Sequence, residues 1–384
     1  MKKKISILGS TGSIGLSTLK IINKKRDLFK IYLLSSNKNF SLINKQINKY
    51  KPEYFIITNY QIYKKAKEKF KNKKTKIFNN FKSLNSLKKS NYTIAAIPGL
   101  AGLEPTMLMT KFSKKILIAN KESVICGWKL IKEIARKNKT IIVPIDSEHF
   151  SIFKLLKNQN LNKIEKIFIT ASGGPFLNFK KSELKKITPQ QAVKHPKWKM
   201  GKKISIDSST LMNKILETIE AQKLFDIPEK KIEILIHPDS LVHAIVKFKN
   251  GLVKFIYHDT SMLIPLANAL FEENVNIKEF YKSSKKDIQN LTFQKVNSIM
   301  FPVIKLKKRA NEHPSSSIII NAVNEILVDL FLKKKIDFLS ISKTIMSILN
   351  DRNYKKYAIR NPKNIEDIID IDQWARNKIL RKFN

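Results

Sequence analysis

From Lys4 to Pro144, short apolar runs rich in β-branched residues alternate with longer, helix-like segments. The runs are Ile5 to Leu8, Ile31 to Leu34, Phe55 to Ile57, Thr93 to Ile97, Ile116 to Ala119 and Ile141 to Val143. Strands that read as unbroken apolar runs must be covered on both faces, and a strand–helix alternation supplies that cover as a parallel sheet flanked by helices. Residues 1–146 are thus predicted to form a Rossmann-like, doubly wound α/β domain. Gly9-Ser10-Thr11-Gly12-Ser13-Ile14-Gly15 follows the first strand and opens the first helix. Bare glycines there let the backbone approach a pyrophosphate, whose charge the helix N-terminus attracts. The spacing is G-x-x-G-x-x-G, not the commoner G-x-G-x-x-G, and such a turn can also serve tight packing alone; its place at the head of a βαβ series favours the dinucleotide. An NAD site carries an acid for the ribose 2′-hydroxyl at the end of the second strand. Here that place reads Ser35-Ser36-Asn37-Lys38-Asn39, with no carboxylate and with a lysine suited to a 2′-phosphate. NADP is therefore preferred over NAD.

From about Ser147 the pattern changes. Asn250-Gly251 stands between the alternating runs Val246-Lys247-Phe248 and Val253-Lys254-Phe255, a strong hairpin signal. Residues 147–277 are predicted to be an α+β domain with an antiparallel sheet, and the polar stretch 278–300 reads as a linker. Beyond it Ile319, Ala322, Val323, Ile326, Leu327, Leu330 and Phe331 recur at helical spacing, and two more helical patterns follow, Ile341 to Leu349 and Ile365 to Leu380. Residues 301–384 are accordingly predicted to be a small helical domain. Lysine-rich stretches such as Lys71 to Lys76 read as solvated loops.

Of the 384 residues 42% are hydrophobic, enough for two or three packed cores. No run approaches the ~18 apolar residues of a membrane span, and the Met1-Lys-Lys-Lys start does not lead into a signal-peptide core, so a cytoplasmic chain is expected. The single cysteine, Cys126, excludes an internal disulfide and a cysteine-based zinc cluster; it reads as a buried small residue. The formal net charge is +43, carried by sixty-seven lysines and only seven arginines. Nucleic-acid readers favour arginine's bidentate fork, whereas a nucleotide bias toward A/T-rich codons enriches lysine, isoleucine and asparagine on every solvated face. No specific nucleic acid and no membrane is expected as a partner.

Amid so much lysine two acidic clusters stand out. Asp146-Ser147-Glu148-His149 follows the strand Ile141 to Val143, at the strand end where α/β sheets bind ligands. Glu217 and Glu220, three apart in a helix predicted over Leu211 to Leu224, share one face. Oxygen-only ligands suit Mg²⁺ or Mn²⁺ and not zinc; the same acids could instead cap helices or pair with surface lysines. Ala171-Ser172-Gly173-Gly174 follows the strand Ile167 to Thr170, and Ser208-Ser209-Thr210 precedes the helix carrying Asn213 and Lys214. Hydroxyls, open amides and a lysine at a helix start suit a phosphate monoester, although Ser-Gly-Gly is also an ordinary turn and Ser208 an ordinary N-cap. Between them, His195-Pro-Lys-Trp-Lys-Met200-Gly201 either packs on the core or closes over a ligand.

In this order, and together with Ala119-Asn-Lys-Glu-Ser123 and Ile236-His-Pro to His243, these segments resemble the 1-deoxy-D-xylulose 5-phosphate reductoisomerases over nearly the whole chain. The resemblance implies an NADPH-dependent oxidoreductase of non-mevalonate isoprenoid (terpenoid) biosynthesis. Such an enzyme isomerises 1-deoxy-D-xylulose 5-phosphate, a sugar phosphate, and reduces the resulting aldehyde to 2-C-methyl-D-erythritol 4-phosphate. By matching position it implies one divalent cation, Mg²⁺ or Mn²⁺, on Asp146, Glu148 and Glu217, which with Lys121 form the catalytic set. Lys121, Ser147, Glu148, Ser172, His195, Ser208, Asn213, Lys214 and Glu217 are expected at the substrate. Thr11, Gly12, Ser13, Ile14, Asn37, Lys38, Asn39, Asn120, Glu122 and Gly201 are expected at NADPH. Trp198 and Met200 belong to a lid, and a homodimer through the central domain is implied. His243 and Glu220 match positions beside the site, their roles open.

Some positions depart from the family pattern. Asn37 replaces a glycine, and asparagine tolerates positive φ; Ala171 replaces another; Thr260-Ser-Met-Leu263 and Glu312-His-Pro-Ser-Ser-Ser317 also differ. A semialdehyde or hydroxy-acid dehydrogenase would share the nucleotide turn without needing the carboxylates, and a nucleic-acid binder would show salt-steep affinity indifferent to the turn.

Overall fold

The computed structural model describes residues 2–84, 87–198, 200–272, 274–283 and 290–383. Contacts divide the chain into two compact units, one of Met1–Ser123, Trp128–Asp146 and Met262–Ser284, the other of Val124–Gly127, Ser147–Ser261 and Lys285–Asn384.

In the first unit β1 (Lys3–Leu8), α1 (Ser13–Lys24), β2 (Phe29–Ser36), α2 (Phe40–Tyr50), β3 (Tyr54–Ile57), α3 (Tyr60–Lys69), β4 (Lys76–Phe78), β5 (Ser90–Ala95), α4 (Leu103–Lys111), β6 (Ser113–Ile118), α5 (Lys121–Asn138) and β7 (Ile141–Pro144) alternate as the apolar runs predict. The strands form one parallel sheet in the order β4-β3-β2-β1-β5-β6-β7. Ile5, Ile7, Leu8, Leu33, Leu34, Phe55, Ile94 and Leu117 are buried, as both-sided cover requires. The order reverses between β1 and β5, so the turn after β1 lies at the switch point where such sheets bind ligands. β4 has no counterpart in the sequence reading, which treats Lys71 to Lys76 as loop. Three residues, the first of them a lysine, carry no readable alternation, and a short lysine-bearing edge strand resists further pairing.

The second unit opens with α6 (Ser147–Leu156), β8 (Ile164–Ala171), α7 (Pro189–Ala192), α8 (Lys202–Ser209), α9 (Met212–Phe225), β9 (Ile232–Ile236), β10 (Val242–Phe248) and β11 (Val253–Tyr257). Its five-stranded sheet has the order β11-β10-β8-β9-β12, where β12 is Gln294–Lys295. The Asn250-Gly251 hairpin is present, with Gly251 at φ +87° and Lys247 paired to Val253. The sheet is mixed and not wholly antiparallel: β8 and β9 run parallel, because α8 and α9 lie between them in the chain and provide the crossover that a parallel pair needs. Ile152 of α6 and Ala221 of α9 meet Ile164, Ile167, Ile169, Ile232, Val246 and Phe248 in one core. β12, within the expected linker, adds an edge strand on β9; residues 284–289 of that linker lie outside the described residues. α11 (Leu306–Arg309), α12 (Ser316–Leu332), α13 (Phe338–Ile348), α14 (Tyr354–Ala358) and α15 (Ile365–Phe383) make the helical tail, with α12 packed on α13 and α15.

Helix α10 (Leu263–Phe271) belongs with the first unit, although the sequence reading groups it with 147–277. Phe271 meets Phe29 edge to face at 5.4 Å and stacks on Phe280 at 5.3 Å, so aromatic burial draws this segment onto the first sheet. Cys126 is buried, with Asn321 Nδ2 3.9 Å from its sulfur. Among the described residues no helix is long and apolar enough to cross a membrane.

Candidate active site

The turn after β1 is held by its own backbone and by the end of β2. Gly12 N–H donates to the Gly9 carbonyl at 3.0 Å, Gly9 N–H to Ser35 Oγ at 3.0 Å, and Thr11 Oγ1 lies 2.8 Å from Ser36 Oγ. Buried Gln46 braces it from α2: its Nε2 donates to the Ser10 carbonyl at 2.9 Å and its Oε1 accepts from Ser10 Oγ at 2.6 Å. Nothing in the sequence marks Gln46 for that task. The three glycines answer different demands. Gly9 has φ +80°, and a Cβ on Gly15 would stand 2.4 Å from the Gly9 oxygen. A Cβ on exposed Gly12 would meet only that oxygen at 3.4 Å, an ordinary contact. The fold itself therefore requires Gly9 and Gly15 but not Gly12. Gly12 is also the N-cap of α1 and offers no side-chain cap, so the first amides of the helix remain open to an anion.

Asn37, Lys38 and Asn39 are exposed after β2, and Asn39 Oδ1 caps α2 by accepting from Leu42 N–H at 3.0 Å. Asn37 is not at positive φ, so the asparagine at this place needs no left-handed backbone. Asn120 and Glu122 are buried at the β6–α5 turn, with Asn120 Nδ2 donating to Glu122 Oε2 at 2.9 Å and to the Gly99 carbonyl at 3.2 Å. Between them, Lys121 is buried and its ammonium lies 3.0 Å from Asp146 Oδ2.

Asp146 immediately precedes α6, whose first turn carries Ser147 and Glu148; Glu217 projects from α9. Glu148 and Glu217 each offer an oxygen within 4.8 Å of the other, which brings the two acidic stretches of sequence together. Glu148 and Glu217 are buried and both bind the Lys214 ammonium, Glu217 Oε2 at 2.8 Å. Ser147 Oγ donates to Glu148 Oε2 at 2.5 Å, and Asn213 Nδ2 donates to Glu217 Oε1. Burial pushes the Lys214 ammonium down, but Glu148 and Glu217 outweigh it and hold its pKa above the ordinary lysine value. Behind them His149 Nε2 meets the Glu217 carbonyl at 2.9 Å and its Nδ1 lies 3.3 Å from Glu220 Oε2. His149 and Glu220 likewise offer ligand atoms within such a span of one another.

The turn after β8 carries Gly173 at φ +82° and Gly174 at φ +68°. A Cβ on Gly174 would approach the Ser208 carbonyl and Ser209 Cα to 3.0 Å, so both conformation and space call for glycine. Ser172 Oγ accepts from Gly174 N–H at 3.0 Å and meets His195 Nε2 at 2.9 Å. His195 Nδ1 accepts from Lys197 N–H at 3.2 Å and Trp198 N–H at 2.9 Å. That nitrogen carries no proton, so Nε2–H is the donor to Ser172, and the serine's own hydrogen is left to donate elsewhere. Burial, then the Lys214 charge, lowers the His195 pKa to about 4 against an opposing pull from Glu148. Ser208 sits in the last turn of α8 and is not an N-cap. The N-cap of α9 is Leu211, a left-handed leucine at φ +65° with no side-chain cap; Met212 N–H turns back to Thr210 Oγ1 at 3.3 Å and Lys214 N–H to the Leu211 carbonyl at 3.1 Å, so this helix start offers a ligand the side chains of Asn213 and Lys214. Trp198 and Met200 are half-buried, and Gly201, exposed, has no atom within 4 Å of where a Cβ would stand; Lys199 lies outside the described residues. The altered Ala171 simply ends β8, its carbonyl accepting from His237 N–H at 2.7 Å. The altered Ser315 and Ser316 join α12 to the Arg360 carbonyl at 2.6 Å and the Tyr354 hydroxyl at 2.7 Å.

A parallel dinucleotide-type sheet, followed by a unit rich in buried carboxylates and anion-ready turns, defines an α/β oxidoreductase class. Comparison with known proteins narrows it. Family models match at residues 5–127 (1-deoxy-D-xylulose 5-phosphate reductoisomerase), 142–225 (the C-terminal domain of that enzyme) and 259–378 (DXP reductoisomerase C-terminal domain). The 1-deoxy-D-xylulose 5-phosphate reductoisomerase of Pelagibacter ubique is 48% identical over 98% of both chains, and that of Clostridium tetani is 39% identical over the whole of both. Among solved structures, the Zymomonas mobilis enzyme in complex with NADPH superposes with a TM-score of 0.89 at 31% identity over the full length of both chains. A reductoisomerase in complex with NADPH, fosmidomycin and magnesium gives 0.90 at 30% identity, covering 99% of this chain and 98% of that one. The chain belongs to the 1-deoxy-D-xylulose 5-phosphate reductoisomerase family and is an NADPH-dependent reductoisomerase acting on a sugar phosphate.

Proposed function

We infer that this chain converts 1-deoxy-D-xylulose 5-phosphate to 2-C-methyl-D-erythritol 4-phosphate with NADPH and one divalent cation, and that the residues below do the work. The observation that carries the assignment is the pairing of buried Glu148 and Glu217 within 4.8 Å, with Asp146 two residues before Glu148 as the third carboxylate. An oxygen-only triad with two buried members fits Mg²⁺ or Mn²⁺, and the Lys214 ammonium lodged on those two marks them as a seat for positive charge. When bound, the cation supplies Lewis acidity to the neighbouring carbonyl and hydroxyl oxygens of the substrate.

The chain's own groups do the rest. Ser172, whose oxygen already accepts two hydrogen bonds, turns its proton to the phosphate. Ser208, Asn213 and Lys214 complete that pocket. His195 stays neutral and fixes the serine rotor. Lys121 and Ser147 orient the end of the substrate nearer the carboxylates. Trp198 and Met200 close over the substrate and exclude water from the intermediate. Thr11, Gly12, Ser13 and Ile14 take the pyrophosphate; Asn37, Lys38 and Asn39 take the ribose 2′-phosphate; Asn120, Glu122 and Gly201 contact the rest of NADPH.

The domain division that goes with this reading is 1–146 for NADPH, 147–277 for catalysis and pairing except that α10 joins the first unit, 278–300 as linker and 301–384 as a helical domain. We further propose a cytoplasmic homodimer. Strand β11 is a sheet edge on which Val253 is 53% and Phe255 48% exposed, an unpaired apolar edge of the kind that a second copy can cover. The deciding experiment follows NADPH oxidation with 1-deoxy-D-xylulose 5-phosphate, with and without Mg²⁺ or Mn²⁺, and with NADH in place of NADPH. Turnover that needs both substrate and metal and prefers NADPH is expected; full turnover under chelation, or a preference for NADH, would overturn the reading. Light scattering in solution reads the dimer.

A further inference from the structure

We propose that His258 is a positioning residue that sets the resting place of Trp198 by holding the ring of His243. His258 follows β11 and is 9% exposed. Its ring stacks on His243 with centroids 3.9 Å apart and planes 19° apart, and its carbonyl accepts from His243 Nε2 at 3.1 Å. One residue thus holds His243 both by its ring and by its main chain. His243 meets the Trp198 indole in a T-shaped contact at 6.0 Å and 73°. The backbone N–H of Trp198 donates to His195 Nδ1, and His195 Nε2 meets Ser172 Oγ. His258, His243, Trp198, His195 and Ser172 therefore form one unbroken series from the end of β11 to the turn after β8.

The protonation pattern indicates that the face of the His258 ring matters, not its polarity. His258 Nδ1 lies 2.8 Å from the Asp259 carbonyl, which only an N–H can satisfy, so Nε2 is bare. Among the described residues this buried Nε2 has no hydrogen-bond partner, and burial lowers the ring's pKa. A neutral ring with one nitrogen unsatisfied pays a solvation cost there, and the contact that offsets it is the stack. Sequence reasoning leaves His258 unmarked, since a lone histidine after a strand carries no spacing signal.

The inference rests on reading Trp198 and Met200 as the lid, so its test separates the two. The full chain is labelled with 5-fluorotryptophan; of its three tryptophan resonances, that of Trp198 is assigned by its loss in Trp198→Phe. In His258→Ala the Trp198 resonance is expected to shift. The KM for 1-deoxy-D-xylulose 5-phosphate should rise about three- to tenfold, the range set by aromatic-pair energies, while kcat and the KM for NADPH stay within about twofold. His258→Phe, which keeps the face and discards both nitrogens, should restore resonance and KM. A Trp198 resonance unmoved in His258→Ala, or a His258→Phe as defective as His258→Ala, overturns the proposal. A moved resonance with wild-type KM in both His258→Ala and Trp198→Ala removes the lid reading and with it the substrate half of the proposal. If His258→Ala does not fold, His258→Phe decides alone: wild-type KM supports the ring-face role and a raised KM refutes it.

Discussion

The turn after β1 and the turn after β8 each end a strand, carry glycine at positive φ and are suited to an anion, yet they are built from different materials. The first lies within Gly9 to Gly15 and offers backbone amides, with side chains used only to brace it from behind, as Gln46 braces Ser10. The second offers side chains drawn from separate stretches: Ser172 after β8, His195 before α8, Ser208 at the end of α8, and Asn213 and Lys214 on α9. A backbone site suits a group met in a fixed extended pose, since amides cannot be re-aimed; a side-chain site beside a cluster of carboxylates can change partners as charge changes. Substitutions should therefore act locally and sterically in the first turn, and through charge and proton placement in the second.

The largest effect should come from the carboxylates. Glu217→Gln or Asp146→Asn is expected to lower kcat by about 10³-fold or more, because the electrostatic stabilisation at the reacting oxygens is lost. NADPH affinity, measured by fluorescence titration, should stay within about twofold, since the backbone site is untouched. Unchanged turnover in either variant would remove these residues from the chemistry and leave the two turns with no division of labour.

Next comes a pair of glycine substitutions in the first turn. Gly15→Ala puts a methyl 2.4 Å from the Gly9 oxygen and should destabilise the fold by about 1–3 kcal/mol, read as a fall in Tm, as overpacking does. Gly12→Ala meets nothing nearer than 3.4 Å, so Tm should hold while the KM for NADPH rises about tenfold or more through loss of close approach. If Gly12→Ala binds NADPH normally, the open amides of α1 are not where the pyrophosphate sits. Ser172→Ala, in the second turn, should raise the KM for the phosphorylated substrate about tenfold, the worth of one hydrogen bond to a charged group. An equal loss with a dephosphorylated analogue would show that the serine does not read phosphate.

The same difference in materials governs what was legible in the chain. The parallel sheet could be read because each strand announces itself as a β-branched run, and the first turn because its residues are contiguous. The meeting of Glu148 with Glu217, sixty-nine positions apart, could not be read from spacing: it depends on α6 and α9 packing on one sheet through Ile152 and Ala221, and resemblance to a family supplied what periodicity did not. The alternative of Ser208 as an N-cap could not be dismissed from sequence, because a serine before a helix has the same appearance whether it starts that helix or ends the previous one; the left-handed Leu211 that separates them has no sequence signature. β4 and the shift of α10 to the first unit were hidden for similar reasons, one too short for a period and the other placed by Phe29 and Phe271.

The smallest effect, and the one that tests proton placement directly, is the pH dependence of His195. Its pKa is about 4 in the folded chain against an ordinary 6.5, through burial first and the Lys214 charge second. Between those values the unfolded chain binds the proton and the folded chain does not, so stability rises with pH across that window and is lost on acidification from 6.5 toward 4. Protonation would also place a hydrogen on Nδ1, where the Lys197 and Trp198 amides already donate, and so loosen the loop that carries Trp198. In His195→Asn a side-chain oxygen can accept those amides without titrating. Its Tm should therefore fall less steeply than the wild type's between pH 6.5 and about 4, a modest difference because the ring is only half-buried and partly screened. Parallel Tm curves would mean that His195 takes its proton equally in both states, and the hydrogen on Ser172 would then not be fixed by a neutral imidazole.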